Sequence, residues 1–108
     1  SVLNTLVETG LANEYAAIRM VANLFESMGL FVKSGMMDRR IACELWSGIV
    51  AQTWDAVRPL TAMLRADVDA GIWVNFEYMA ALSKRYNTEY PSGEYPAGVE
   101  RLPLEEPA

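Results

Sequence analysis

A chain of 108 residues with fourteen acidic and nine basic side chains, a formal charge of −5, has the length of one domain. It lacks the cationic surface that nucleic acid or anionic lipid requires. It holds no histidine and one cysteine, Cys43, so the commonest general base and metal ligand is missing and an intrachain disulfide is excluded. The apolar share of 52% lies slightly above the roughly 45–50% usual for soluble domains, and in a small domain such an excess often ends in a subunit interface.

No apolar run approaches the roughly 18–20 residues that span a bilayer, so the chain itself is not expected to insert into a membrane. A cytoplasmic location is the expectation. The opening stretch, SVLNTLVETG, lacks the basic and long apolar regions of a secretory signal. It has no initiator Met, which fits either Met removal before Ser1 or a start inside something longer.

Taken in order, Val2–Glu8 is a short apolar-periodic piece closed by Thr9-Gly10. Asn13 reads as the N-cap of the next helix, with Glu14 in its first turn. Tyr15, Ile18, Ala22, Phe25, Gly29 and Val32 recur at helical spacing, and Val21, Leu24, Met28 and Phe31 widen the stripe. Ser34-Gly35 ends this helix. Asp38 caps a central helix running to Arg65, whose apolar positions include Ile41, Leu45, Trp46, Ile49, Val50, Trp54, Val57 and Leu64. Gly48 weakens its middle, and Pro59 predicts a kink or break around Asp55–Pro59. Ala66–Gly71 is a turn, with Asp69 capping a last helix over Ile72–Tyr86.

Four of the five prolines follow, within NTEYPSGEYPAGVERLPLEEPA. A tandem repeat stands there, Glu89-Tyr90-Pro91-Ser92-Gly93 and then Glu94-Tyr95-Pro96-Ala97-Gly98. Proline fixes φ and glycine frees it, so each unit is extended and then turned. The prolines do not keep the three-residue period of a polyproline ligand. The sequence therefore divides into a helical domain, 1–86, and a Pro/Gly/Tyr-rich tail, 87–108, anchored by the tyrosines and by Leu102 and Leu104. The fold class is all-α: four or five helices bundled around a kinked central one.

Candidate chemistry is sparse. Asp67-Val68-Asp69-Ala70-Gly71 resembles the opening of a calcium loop, but the fifth, sixth and twelfth positions hold Gly71, Ile72 and Tyr78 instead of an oxygen ligand, a glycine and a bidentate Glu. No metal site and no cofactor are expected. Cys43 has no histidine partner and reads as a packed, reduced thiol. Glu26 and Glu44 interrupt apolar runs. Facing each other they could serve acid–base work; at the stripe's edge they would pair with Arg39, Arg40 or Arg58, which is the preferred reading. No catalytic residue is assigned. Trp73, opening its helix beside a turn, is expected to be partly exposed and to anchor a partner. Tyr90, Pro91, Tyr95 and Pro96 form a candidate docking arm for a partner's groove.

From Leu24 to Tyr86 the chain resembles a family of uncharacterised bacterial domains. The resemblance rests on LFESMGLFVKSGMMDRRIACELWSGIVAQTWDAVRPLTAMLR followed by WVNFEYMAAL. The matching positions are Phe25, Glu26, Gly29, Val32, Gly35, Met36, Asp38, Gly48, Trp54, Pro59, Trp73, Asn75, Phe76, Glu77 and Tyr78. It implies a helical fold and no mechanism. Such families often carry a membrane-spanning helix ahead of the helical domain. The leading functional expectation is a non-catalytic interaction module that self-associates, as a homo-oligomer, or docks to a protein. The alternatives are a small ligand-binding or enzymatic domain using Glu26 and Glu44, and the soluble part of a membrane-tethered signalling protein.

Overall fold

The computed structural model describes residues 4–5 and 8–105. Among them are three helices and no strand: α1 (Ala12–Lys33), α2 (Arg39–Asp67) and α3 (Val74–Glu89). The all-α expectation holds, while four or five helices are not found among the described residues. The expected piece over Val2–Glu8 lies mostly outside them. Gly10 has the left-handed φ of +75° that suits a closing glycine.

Helix α1 starts two residues earlier than an Asn13 cap requires. The Leu11 carbonyl accepts from the Tyr15 N–H at 2.9 Å, which places Asn13 inside the first turn, and no side chain caps this end. Its other end closes as a Schellman motif. Gly35, at φ +82°, donates to the Val32 carbonyl at 3.2 Å, and Met36 donates to that of Phe31 at 2.9 Å.

Asp38 caps α2, its carboxylate accepting from the Ile41 N–H at 2.9 Å. The helix then runs 29 residues without the expected break. Pro59 lies on the exposed side. The carbonyl that loses its donor there, that of Asp55, therefore faces the solvent side, where it is open to water.

Asp69 does not cap α3; its carboxylate accepts from Gly71 N–H and closes the turn. The cap position is Trp73, at φ +54° the only non-glycine residue with positive φ among those described. Helix α3 runs past Tyr86 into the first repeat, to Glu89.

Helix α3 is the centre of the packing. It meets α1 and α2 extensively, whereas α1 and α2 meet each other sparsely. Phe76, fully buried, contacts the rings of Phe25 on α1 (5.5 Å), Trp54 on α2 (5.2 Å) and Trp73 (6.3 Å). Val50, Thr61, Met79 and Ser83 complete the innermost layer. Of the three buried hydroxyls, two are satisfied within their helices, Thr61 by the Val57 carbonyl and Ser83 by that of Met79, and the third, Ser47, donates to Asn87 Oδ1 on α3. Arg65 ties the end of α2 to the start of α3: it donates to the Ile72 carbonyl, pairs with Glu77 at 2.8 Å, and lies over the Trp54 ring.

The result is a slab, 55 × 43 × 19 Å, with a radius of gyration of 17.0 Å. A folded domain of this length averages about 13 Å. At 19 Å the molecule is less than two helix diameters thick, so a large part of each outer helix has no second layer over it.

Candidate interaction surface

Three constructions bear on function: an interlock between α1 and α3, a clasp that holds the tail, and an apolar face left open.

The interlock places three residues of α1, spaced by three, against the start of α3. Asn23 Oδ1 accepts from the Trp73 indole N–H at 3.0 Å. Glu26 Oε1 accepts from the backbone N–H groups of Asn75 and Phe76, both at 2.8 Å, and its Oε2 accepts from Asn75 Nδ2 at 2.9 Å. Gly29 lies against the Asn75 backbone so closely that a Cβ there would overlap its carbonyl oxygen. Glu26 is therefore a helix cap supplied by a neighbouring helix, a negative charge at the positive end of α3. Its expected partner was an arginine; its actual donors are amides, and both oxygens are engaged. Trp73 is a correction as well. It is 6% exposed, because the left-handed turn swings its ring inward onto Phe76.

The clasp is built by the only half-buried acid among the tail's described residues. Glu94, its side chain 11% exposed, pairs with Arg40 at 2.7 Å and accepts from the Tyr86 hydroxyl at 2.8 Å. Hydrogen bonds from Arg40 first, and then from Tyr86, hold the Glu94 carboxyl below the usual carboxylate range. Burial, and then the bond to Glu94, pushes the Tyr86 phenol up to about 12. The Tyr90 ring meets that of Tyr86 in a tilted contact, with centroids 5.0 Å apart. Pro91 and Ser92 are the centre of a turn closed by Gly93 N–H to the Tyr90 carbonyl at 3.0 Å. Ser92 keeps a negative φ and Gly93 takes +79°, the pattern of a type I turn followed by a left-handed glycine. The second repeat ends likewise, with Gly98 at +85°. Tyr95 and Pro96 point outward, Arg101 lies 4.3 Å over the Tyr95 ring, and the Tyr95 hydroxyl donates to the Glu100 carbonyl.

Among the described residues the tail thus docks on its own helices. Its anchors are Glu94, Tyr86 and Tyr90, and not Leu102 and Leu104, which are largely exposed. Sequence offered Arg40 only as a partner for Glu26 or Glu44, and Glu94 only as part of the repeat; a lone Glu inside a Tyr-Pro repeat carries no local signal of its distant partner. Beneath the clasp is a cleft of about 240 Å³ edged by Arg39, Cys43, Arg85 and Tyr90. Burial pushes the Cys43 thiol up, which keeps it protonated and poorly nucleophilic. Glu44, exposed, lies on the tail side of α2, beside Tyr95 and Pro96, whereas Glu26 is bonded to the start of α3. The two carboxylates share no site. No three acidic or thiol side chains cluster as a metal site among the described residues.

The open face is the third construction. Several residues that the wide stripes suggested as core are exposed. On α1 these are Val21, Leu24 and Phe31, with Leu24 at 58%; Met20, outside the stripe, is exposed as well. On α2 they are Ile41, Leu45 and Ile49, with Leu45 at 69%. Between the two helices runs a groove of about 550 Å³, lined by Ala17, Ile18, Val21, Gln52, Ala56 and Val57. Its walls, which also include Thr53, are mostly apolar and carry no charge. On α2 the pattern is complete: Ile41, Leu45, Gly48, Ile49, Gln52, Ala56, Pro59 and Met63 are all exposed, lie on one side, and include no charged residue. The buried face, Ala42, Val50, Val57, Thr61 and Leu64, lies roughly 130° away at 100° per residue. Helix α2 therefore has two apolar faces, of which α3 covers one.

None of the described helices is long and apolar enough to cross a membrane. The chain belongs to the family described as Domain of unknown function (DUF4760), whose model matches residues 5–83. That span contains the interlock and the open face; the clasp's Glu94 lies beyond it. No curated protein and no solved structure matches the chain.

Proposed function

We propose that this domain is a non-catalytic protein-interaction module whose working surface is the open apolar face of α1 and α2. The observation that carries the reading is the uncharged second face of α2, from Ile41 to Met63, about 33 Å of helix at 1.5 Å per residue. Isolated exposed apolar residues are ordinary, but a contiguous apolar face of this length marks a contact surface. The interlock fixes α1, and the shared Phe76 contact fixes both outer helices on α3. The face is therefore held rigid before anything binds, which lowers the ordering cost of association. The enzymatic alternative finds no support: Glu26 serves as a cap, Glu44 is elsewhere, and Cys43 is buried. The outward Tyr95-Pro96 unit offers a second, smaller contact beside the face.

The test is cross-linking of the full chain in cell lysate, wild type beside Leu45→Glu and Ile49→Glu. Both side chains are exposed, so the variants keep the wild-type helical circular dichroism. Complexes, with itself or another protein, that form with wild type and vanish with either variant support the reading. Identical complexes from all three chains overturn it.

A further inference from the structure

We propose that the occupant of the open face is a second copy of this chain, with α2 packed antiparallel on the other copy's α2 about a twofold axis at Gln52. This rests on the reading of that face as a contact surface and names what it contacts. The spacing of the α2 stripe is the first argument. Seven of the face's eight residues, Ile41, Leu45, Gly48, Gln52, Ala56, Pro59 and Met63, follow one another at four, three, four, four, three and four residues, a sequence of steps that reads the same in both directions; the eighth, Ile49, lies on the flank of this line. Pairing about Gln52 sets Ile41 on Met63, Leu45 on Pro59 and Gly48 on Ala56. Large meets large at the ends, and small meets small on either side of the centre, where two helices must approach most closely. A helix built to receive an unrelated partner needs no such palindrome; an isologous interface does, because one surface must complement itself.

The centre of the stripe is the second argument. Gln52 is its only residue with a polar side chain. An amide carries both donors and an acceptor, so it can satisfy a copy of itself across a twofold axis. Charge is the third. A molecule with a net charge of −5 repels its copy unless the facing surfaces are neutral, and this stripe is. At its edge, Glu44 lies eight residues before Gln52 and Arg58 six after, so antiparallel pairing brings Glu44 of each copy near Arg58 of the other. Area is the fourth. The chain exposes 7773 Å², against roughly 6000 Å² for a folded monomer of its mass. The tail accounts for part of the excess. A stable dimer hides about 800 Å² per partner, less than half of it. The same twofold axis lays α1 of each copy over α1 of the other, so that Met20, Val21 and Leu24 are covered too. The four outer helices then form one bundle between two outer α3 helices.

The experiment is sedimentation equilibrium of the full chain from 1 to 100 μM, with disulfide mapping. The expected mass is twice 12.0 kDa, falling to a single chain in Ile49→Glu with unchanged circular dichroism. In a Cys43→Ser background, Gln52→Cys is expected to oxidise to a covalent dimer. Ile41→Cys alone should not, while an equal mixture of Ile41→Cys and Met63→Cys should. A dimer unaffected by Ile49→Glu, or one that Ile41→Cys locks with itself, overturns the proposed pairing. A single-chain mass up to 100 μM overturns the second copy as occupant. In that case the lysate experiment decides the broader reading: a different protein, lost with Ile49→Glu, keeps the face as a contact surface, and no such protein means that both readings fail.

Discussion

Gly29 on α1 lies directly against the Asn75 carbonyl at the start of α3, with no room for a single added carbon. This contact sets how near α1 comes to α3, and so whether Glu26 can reach the amides it caps. Gly29→Ala must push the helices apart, and overpacking of this kind costs about 1–3 kcal/mol. The contact is with backbone, which cannot rotate away, so the upper half of that range is expected. Gly48, also within a helix, has nothing near its missing Cβ. Gly48→Ala in the Ile49→Glu background, where the open face is disabled, should gain about 0.5–1 kcal/mol from helix propensity. Urea denaturation of both variants checks the pair. Equal effects would show that α1 and α3 are not this close.

Glu26→Gln tests the cap separately from the packing. Glutamine keeps one oxygen for the Asn75 and Phe76 amides but turns an NH₂ toward Asn75 Nδ2, donor against donor. Loss of the charge at the helix N-terminus adds to this. Hydrogen bonds to a charged group are worth about 1.5–3 kcal/mol, so a loss of roughly 2 kcal/mol is expected. Glu26→Ala, which leaves every donor without its acceptor, should lose more. Thermal unfolding should fall by several degrees for each kcal/mol in a chain of this length. A Glu26→Ala variant as stable as wild type would remove the interlock as the organiser of the fold.

The clasp has a pH window with two edges. The Glu94 carboxyl is held down, so its contribution is present above the ordinary carboxylate pKa and is lost as pH falls through its lower folded value. The Tyr86 phenol is pushed up to about 12, so its contribution is present below the ordinary tyrosine pKa and is lost as pH rises through that value. Amide hydrogen exchange of Gly93, whose N–H closes the tail's turn, reads the acid edge. Protection at neutral pH should fall in acid, and Glu94→Gln should show the low protection already at neutral pH. The helices should keep their protection in both. A tail equally protected in Glu94→Gln would mean that something other than this carboxylate holds it.

The helices were legible because their signals are local. Asp38 capped where its side chain could, Ser34-Gly35 closed α1, and the 3.6-residue period located α1, α2 and α3. The interlock was legible only as a set of residue types, since the spacing of Asn23, Glu26 and Gly29 does not reveal that an amide from Asn75 will fill the gap. The open face was misread for a definite reason. A stripe as wide as that of α2 can be one deep core or two opposite faces, and a period alone does not separate them. The separation required knowing that α3 packs along one side of α2 while α1 meets it only sparsely. Trp73 was misplaced because a left-handed tryptophan is rare enough that no propensity argument would choose it.

Pro59 gives the sharpest single test at the point where the sequence allowed a kink or a break and the helix does not break. A proline inside a helix removes one hydrogen bond and crowds the preceding turn, at a cost near 3 kcal/mol. Helix α2 nevertheless continues through it, with the unpaired Asp55 carbonyl on the solvent side. That cost is still present in the native state, offset by the packing of Val57, Thr61 and Leu64 on α3. Pro59→Ala should therefore stabilise the chain, by about 1–3 kcal/mol, since alanine restores the donor and fits the exposed position without new contacts. The gain should appear in Ile49→Glu as well, where the open face is disabled, which assigns it to the helix and not to association. A neutral or destabilising Pro59→Ala in that background would mean that the proline sets a bend on which the packing of α2 against α3 depends.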